Sequence, residues 1–121
     1  MGGGRIALVT GASRGVGAAI ARRLAASGHR VACLGRDADA LTSVAESVGG
    51  LPLVCDVTDD AAVERAMAHL EGTWGPPAIL VQNAGIAESA PLARTTDDQW
   101  DRTLRVNVTA PFRLARRAVP A

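Results

Sequence analysis

The chain contains no lysine and no tyrosine; all 13 of its basic residues are arginines. Any mechanism that needs an ammonium or a phenol side chain is therefore closed to these 121 residues. A phosphate-binding P-loop, which depends on its lysine, is excluded with it. An excess of one charge is missing too. The arginines face 12 Asp and Glu for a net charge of +1, which leaves no electrostatic footprint for nucleic acid or an anionic membrane. Cysteine is scarce: Cys33 and Cys55 each sit in an apolar run, and with only His29 and His69 beside them no metal-ligand cluster forms. Buried free thiols in a reducing compartment are expected. Long apolar runs are absent from the N-terminus, where Ile6 to Val9 ends at a Thr-Gly pair, too soon for a signal h-region or a membrane span. The expected setting is the cytoplasm, with neither nucleic acid nor membrane as partner.

What is present is a 48% apolar chain of the size of one domain or part of one, taken as residues 1–121. Arg5 to Thr10 is a short, almost wholly apolar run, as suits a strand buried on both faces. Val16, Ile20 and Leu24 then recur at helical spacing, and Gly28 stands where a helix stops. The unit repeats with a strand over Val31 to Leu34, then Leu41, Val44, Ala45 and Val48 before the stop Gly49-Gly50. A third copy has Leu51 to Cys55 as strand, Thr58 or Asp59 as N-cap, and Val63, Ala66, Met67 and Leu70 as the buried stripe. Ala78 to Val81 makes a fourth strand. Thr96 and Gln99 form a capping box for a helix carrying Trp100 and Leu104 and running on through Asn107 and Pro111. Strands alternating with amphipathic helices predict a Rossmann-like, doubly wound α/β fold with a parallel sheet. Four strands in the order 3-2-1-4 are expected, an incomplete version of the full arrangement.

Between the first strand and its helix lies Thr10-Gly11-Ala12-Ser13-Arg14-Gly15-Val16-Gly17. Gly11 allows a sharp turn, Gly15 leaves no side chain where a pyrophosphate must approach the backbone, and Gly17 lets the helix pack closely on the sheet. The helix start directs free N–H groups and a positive dipole end at an anion. A tight strand-to-helix connection without ligand would use the same glycines. The position of the turn after a first strand and inside a βαβ unit favours a dinucleotide site.

The Thr-led GxxxGxG spacing resembles the TGxxxGxG signature of the short-chain dehydrogenase/reductases. Asp56-Val57 after the third strand, Asn83-Ala84-Gly85 after the fourth and Asn107 in the long helix stand in the same order as that family's further marks. The resemblance extends over essentially the whole chain. Its closest motif set is that of the 3-oxoacyl-[acyl-carrier-protein] reductase branch. It implies an oxidoreductase that moves hydride between a nicotinamide cofactor and a carbonyl or secondary alcohol. A full-length protein of this kind is expected to be a homo-oligomer.

Under that resemblance Gly11, Ser13, Arg14, Gly15, Val16 and Gly17 cradle the pyrophosphate, while Asp56 accepts from the adenine amino group and Val57 touches the ring. Asp56 as a cap for the following helix is the alternative, and both can hold. An acidic residue about 20 positions past the turn reads the 2′-hydroxyl of NAD, whereas arginine accommodates the 2′-phosphate of NADP. Arg36 and Asp37 offer both. NADP is expected, because Asp37 precedes a helical stripe as its N-cap and leaves Arg36 to face the ribose, with Arg14 as a second phosphate-gripping guanidinium. Asn83, Ala84 and Gly85 run beneath the cofactor ribose, and Gln82 replaces the asparagine usual in the family's NNAG segment. Asn107 is the implied catalytic residue, at a kink whose carbonyl holds a water in a proton relay. A structural amide at a helix break is the alternative, and the inward-facing Trp100 and Leu104 share its helical face. Pro111 supports a break there.

The family's tyrosine, its lysine four residues on, and a serine on the next strand are not found; the serines present are at positions 13, 27, 43, 47 and 89. The sequence is expected to be the N-terminal half of a reductase, with no useful turnover of its own, since losing a positioned general acid removes about 10²- to 10⁴-fold in rate. A noncatalytic nucleotide-binding or interaction module is the second reading. A methyltransferase shares the αβ rhythm but not the Thr-led turn or Asn83-Ala84-Gly85. The Glu88 to Arg94 loop does not identify a substrate.

Overall fold

The computed structural model describes residues 4–85 and 90–120. Glu88 and Ser89 of the Glu88 to Arg94 loop therefore lie outside the described residues. Four parallel strands, β1 (Ile6–Thr10), β2 (Arg30–Gly35), β3 (Leu51–Val54) and β4 (Ile79–Gln82), form one sheet in the order β3-β2-β1-β4. Helices α1 (Gly15–Ala26), α2 (Ala38–Val48) and α3 (Asp60–Thr73) alternate with them. After β4 come a short 3-10 turn (Leu92–Arg94), α4 (Asp97–Leu104), a π-helical segment (Arg105–Thr109) and α5 (Ala110–Ala118). The expected fold class and strand order are those observed.

Strand alternation divides the core in two. Leu8 of β1 with Ala32 and Leu34 of β2 face one way and meet Met67 and Leu70 of α3 and Leu114 of α5. Val9, Val31 and Cys33 face the other way, onto Ala18 and Ala21 of α1 and Leu41, Val44 and Ala45 of α2. Both faces of the central strands are thereby covered, which is why β1 carries almost no polar residue. Fully burying one such Leu contributes about 1.5–3 kcal/mol.

The caps follow the sequence closely. Asp37 accepts from Ala40 N–H and Asp59, rather than Thr58, from Ala62 N–H, each at 3.1 Å. Thr96 and Gln99 close the expected capping box. Gly49 takes the left-handed conformation that ends α2 (φ 61°). Strand ends shift by one residue: β3 stops at Val54, although Cys55 N–H still reaches the Gly35 carbonyl at 2.8 Å, and β4 runs from Ile79 to Gln82.

The last helical run departs from expectation twice. Trp100 is 60% exposed and Leu104 38%, and Asn107 is also exposed, so these residues do not form an inward face. Among the described residues the sheet ends at β4, and burial along this run begins only at Ala110 and Leu114. Nor is the helix broken at Pro111. Leu104, Arg105, Thr109 and Ala110 all keep right-handed helical dihedrals. A π turn, whose N–H groups reach back five residues, absorbs the N–H that Pro111 lacks without ending the helix.

Surface charges fix α5 against α3. Arg113 pairs with Asp60 at 2.7 Å, and Arg117 pairs with Glu64 at 2.6 Å and Glu71 at 2.8 Å. No helix among the described residues is long and apolar enough to cross a membrane. They also hold no group of three or more His, Cys, Asp or Glu placed to bind a metal.

Candidate functional site

The three glycines of the first turn are required for three different reasons. Gly11 has φ +62°, and a Cβ on it would lie 2.8 Å from the Ala84 nitrogen, so both conformation and space forbid a side chain. Gly15 has φ +59° but nothing within 4 Å of its Cβ position, so its cause is conformation and the ground above it is open. At Gly17 the dihedrals are ordinary and the space is not. A Cβ there would collide with the Gly11 carbonyl and come within 2.6 Å of Asn83 Nδ2. The close approach that Gly17 permits is thus to the turn itself and to Asn83, not to the sheet.

That turn is tied to the end of β4. Thr10, the buried polar residue at the end of β1, accepts through Oγ1 from the N–H groups of both Asn83 and Ala84 at 3.0 Å. Asn83 Nδ2 in turn donates to the Gly11 carbonyl at 3.1 Å. Gln82 is long enough to reach α5, where its amide donates to the Pro111 carbonyl at 2.7 Å. Asn107 comes to the same floor: its Oδ1 lies 3.2 Å from where a Cβ of Gly85 would be. The π turn therefore brings Asn107 and its neighbour Val106 up to the Asn83-Ala84-Gly85 segment.

Above this floor, at the C-terminal ends of the strands, lies a cleft of about 360 Å³. Of the residues that the family resemblance assigns to the cofactor, Gly11, Ser13, Arg14, Arg36, Asp56, Val57, Ala84 and Gly85 line it. Gly15, Val16, Gly17 and Asn83 do not. Val16 points to solvent, 67% exposed, and Asn83 acts beneath the floor through its hydrogen bonds. Leu34, Gly35, Cys55 and Val106 also line the cleft and were not anticipated. For Gly35 the sequence held a signal, a glycine closing a buried strand. A Cβ there would collide with Ser13 Oγ and meet Leu41 Cδ1 at 3.3 Å.

The charges lining the cleft balance, two arginines against two aspartates. Asp37 Oδ1 caps α2, and its Oδ2 accepts from Arg14 at 2.6 Å. The Ala40 N–H foremost, with the charge of Arg14, holds the Asp37 carboxyl below its usual value. Asp56 Oδ1 accepts from both the N–H and the hydroxyl of Thr58, at 2.9 and 2.8 Å. The Thr58 N–H is the main cause of its lowered pKa, and the charge of Arg36 adds to it. Asp56 thus orders the turn before α3 while Asp59 caps the helix. Burial pushes the Cys55 thiol up to about 11, so it lines the cleft as a neutral, apolar group.

The strand order reverses at β1, between β2 and β4, and the glycine turn emerges at that point, where α/β sheets bind ligands. The short chain dehydrogenase family model matches residues 5–121. The chain belongs to the short-chain dehydrogenase family. This family member is 44% identical over 114 residues to the 3-oxoacyl-[acyl-carrier-protein] reductase MabA of Mycobacterium tuberculosis, covering 94% of this chain and 44% of that one. It is 38% identical over 120 residues to the corresponding reductase FabG of Escherichia coli, covering 98% and 49%. Among solved structures it superposes on L-sorbose reductase from Gluconobacter frateurii, complexed with NADPH and L-sorbose, with a TM-score of 0.92 at 31% identity, covering 97% of this chain and 47% of that one. A variant of actinorhodin polyketide ketoreductase with NADPH gives 0.91 at 31% identity, covering 95% and 46%. The chain spans about half the length of the relatives it matches.

Proposed function

We propose that the cleft binds NADP(H) and that the protein serves hydride transfer between the nicotinamide and a carbonyl or secondary alcohol. The carrying observation is the glycine turn at the point of strand reversal, where Gly11 and Ser13 line a cleft that Arg14 and Arg36 also line. The residues fit the group. A backbone with no Cβ to obstruct it faces the space a pyrophosphate needs, and the helix start behind it favours an anion. Two guanidiniums suit a 2′-phosphate, which they can grip bidentately. The NADPH complexes of the sorbose and polyketide reductases support the choice of cofactor.

When bound, NADPH supplies the hydride. Gly11, Ser13, Gly15, Val16 and Gly17 hold or shape the pyrophosphate turn, and Arg14 and Arg36 receive the 2′-phosphate. Asp56 and Val57 take the adenine end, while Asn83, Ala84 and Gly85 support the ribose. Asn107, against Gly85, is the residue of this chain we assign to the reaction itself, through its main-chain carbonyl and a water. With no tyrosine and no lysine, these 121 residues contribute binding and this relay position without a phenolic proton donor, so we expect them to bind without turnover. The MabA and FabG relatives make a 3-oxoacyl thioester the favoured substrate class.

Titration of the purified chain with NADPH and NADH, followed by calorimetry and by amide chemical shifts, tests the reading. Saturable NADPH binding that moves the resonances of residues 11–17, 36 and 83–85 is expected. Failure to bind either dinucleotide refutes the reading, and reduction of a 3-oxoacyl thioester by these residues alone refutes the expected lack of turnover.

A further inference from the structure

Gln82, at the exposed end of β4, reaches 29 positions along the chain: its Nε2 donates to the Pro111 carbonyl in the first turn of α5 at 2.7 Å. Further along the same strip Gly85 lies against Asn107, whose Oδ1 is 3.2 Å from where a Cβ of that glycine would be. The strip from Gln82 to Gly85 thus meets the last helical run twice, at Pro111 and at Asn107, and Val106 beside Asn107 lines the cleft. Among the described residues neither α4 nor the π segment contributes a buried one, and burial begins at Ala110. The π segment is therefore seated by whatever holds the start of α5, and Gln82 grips that start. Its bond is not needed to satisfy the Pro111 carbonyl, because a helical carbonyl accepts from the N–H four residues on and keeps a lone pair to spare. Length decides the contact. Asparagine, usual at this position in the family, is one carbon shorter and would fall about 1.5 Å short.

We infer that Gln82 is a positioning residue: through the Pro111 carbonyl it sets where the π segment sits, and so holds Val106 and Asn107 at the floor of the cleft. What Asn107 is held there to do rests on the proposed function; that Gln82 holds it does not. Without the Gln82 donor, α5 keeps its buried anchors Ala110 and Leu114 and its ion pairs to α3, so the fold survives while the π segment gains freedom beside Gly85. The extra carbon of glutamine over asparagine is what makes this tie between strand and helix possible.

Three variants of the full chain separate reach from donation. Gln82→Met keeps the length without a donor, Gln82→Asn keeps the donor without the length, and Gln82→Lys supplies both. Amide hydrogen exchange and the NMR shifts of the Asn107 side-chain amide and the Val106 methyls are measured with and without NADPH. In the first two variants exchange at residues 105–110 should rise about threefold to tenfold, the size of one hydrogen bond, and the Val106 and Asn107 resonances should move. The shifts that NADPH induces at those two residues should shrink, while those at residues 11–17 stay. The third variant should behave as the wild type. Exchange that rises equally in β1 and β2 would make the bond merely structural and overturn the inference. Unmoved Val106 and Asn107 resonances in Gln82→Met, or a Gln82→Lys variant no better than Gln82→Met, would overturn it as well. A wild-type chain that binds neither dinucleotide overturns the proposed function alone, because the ligand-free measurements still decide what Gln82 holds.

Discussion

Replacing Thr10 by valine isolates the contact on which the floor of the cleft depends. The two side chains have nearly the same shape, and Thr10 is buried, so packing is conserved while one acceptor is lost. That acceptor serves two N–H groups at 3.0 Å, those of Asn83 and Ala84. A buried donor left without a partner costs about 1–3 kcal/mol. Asn83 and Ala84 are half-buried, so water can reach part of the gap, and the low end of that range applies to each. The expected loss is about 2–3 kcal/mol, a large share of the roughly 5–15 kcal/mol that holds a typical domain together. Urea unfolding followed by circular dichroism measures it, and hydrogen exchange locates it. The amides of residues 83 and 84 should exchange faster than those in the middle of β1 and β2, and NADPH affinity should fall with them. A stability change under about 0.5 kcal/mol, the ordinary level for a neutral surface substitution, would refute the claim that this hydroxyl joins β1 to β4.

Arg36→Glu should shift preference from NADPH toward NADH, and unchanged NADPH affinity in a binding titration would remove Arg36 from the phosphate site. Gly15→Ala should cost stability by about 1–2 kcal/mol for the left-handed conformation and obstruct the open ground above the turn, weakening NADPH binding; Gly17→Ala should instead unfold the turn, because its Cβ has no room. The difference shows as a small against a large fall in thermal midpoint. Glu64 and Glu71 have lowered pKa values, caused first by their hydrogen bonds to Arg117. A carboxylate with a depressed folded pKa contributes stability above its unfolded pKa and loses it as pH falls through the folded one. Stability should therefore decline below about pH 4.5, and Arg117→Gln should flatten that decline in urea midpoints measured across the acid range.

The helices and caps could be read from the sequence because each depends on neighbours within one or two turns: the stripe Val63, Ala66, Met67, Leu70, the box Thr96–Gln99, the stop at Gly49; the strand order followed from the strand–helix alternation of a doubly wound fold. The site was legible as far as its residues share a motif with a known family. What could not be read depends on groups far apart in the chain. Nothing in the turn's own residues shows that Gly17 must clear Asn83, or that Thr10 holds residues more than 70 positions away. The exposure of Trp100 and Leu104 was hidden for the same reason, since periodicity identifies an apolar face without showing whether anything covers it. The π turn at Asn107 needed the knowledge that Ala110 and Leu114 bury while Trp100 does not, which no local pattern carries.

The arginine ladder between α5 and α3 acts as an axial index for the cleft. Sliding α5 forward by one turn, about 5.4 Å, would set Arg113 opposite Glu64 and Arg117 opposite Ala68, leaving Asp60 unmatched. Only one longitudinal setting satisfies Asp60, Glu64 and Glu71 together. In that setting the Pro111 carbonyl meets Gln82 and Asn107 stands level with Gly85. The height of a residue at the floor of the cleft is thus gauged by charges further along the same helical run.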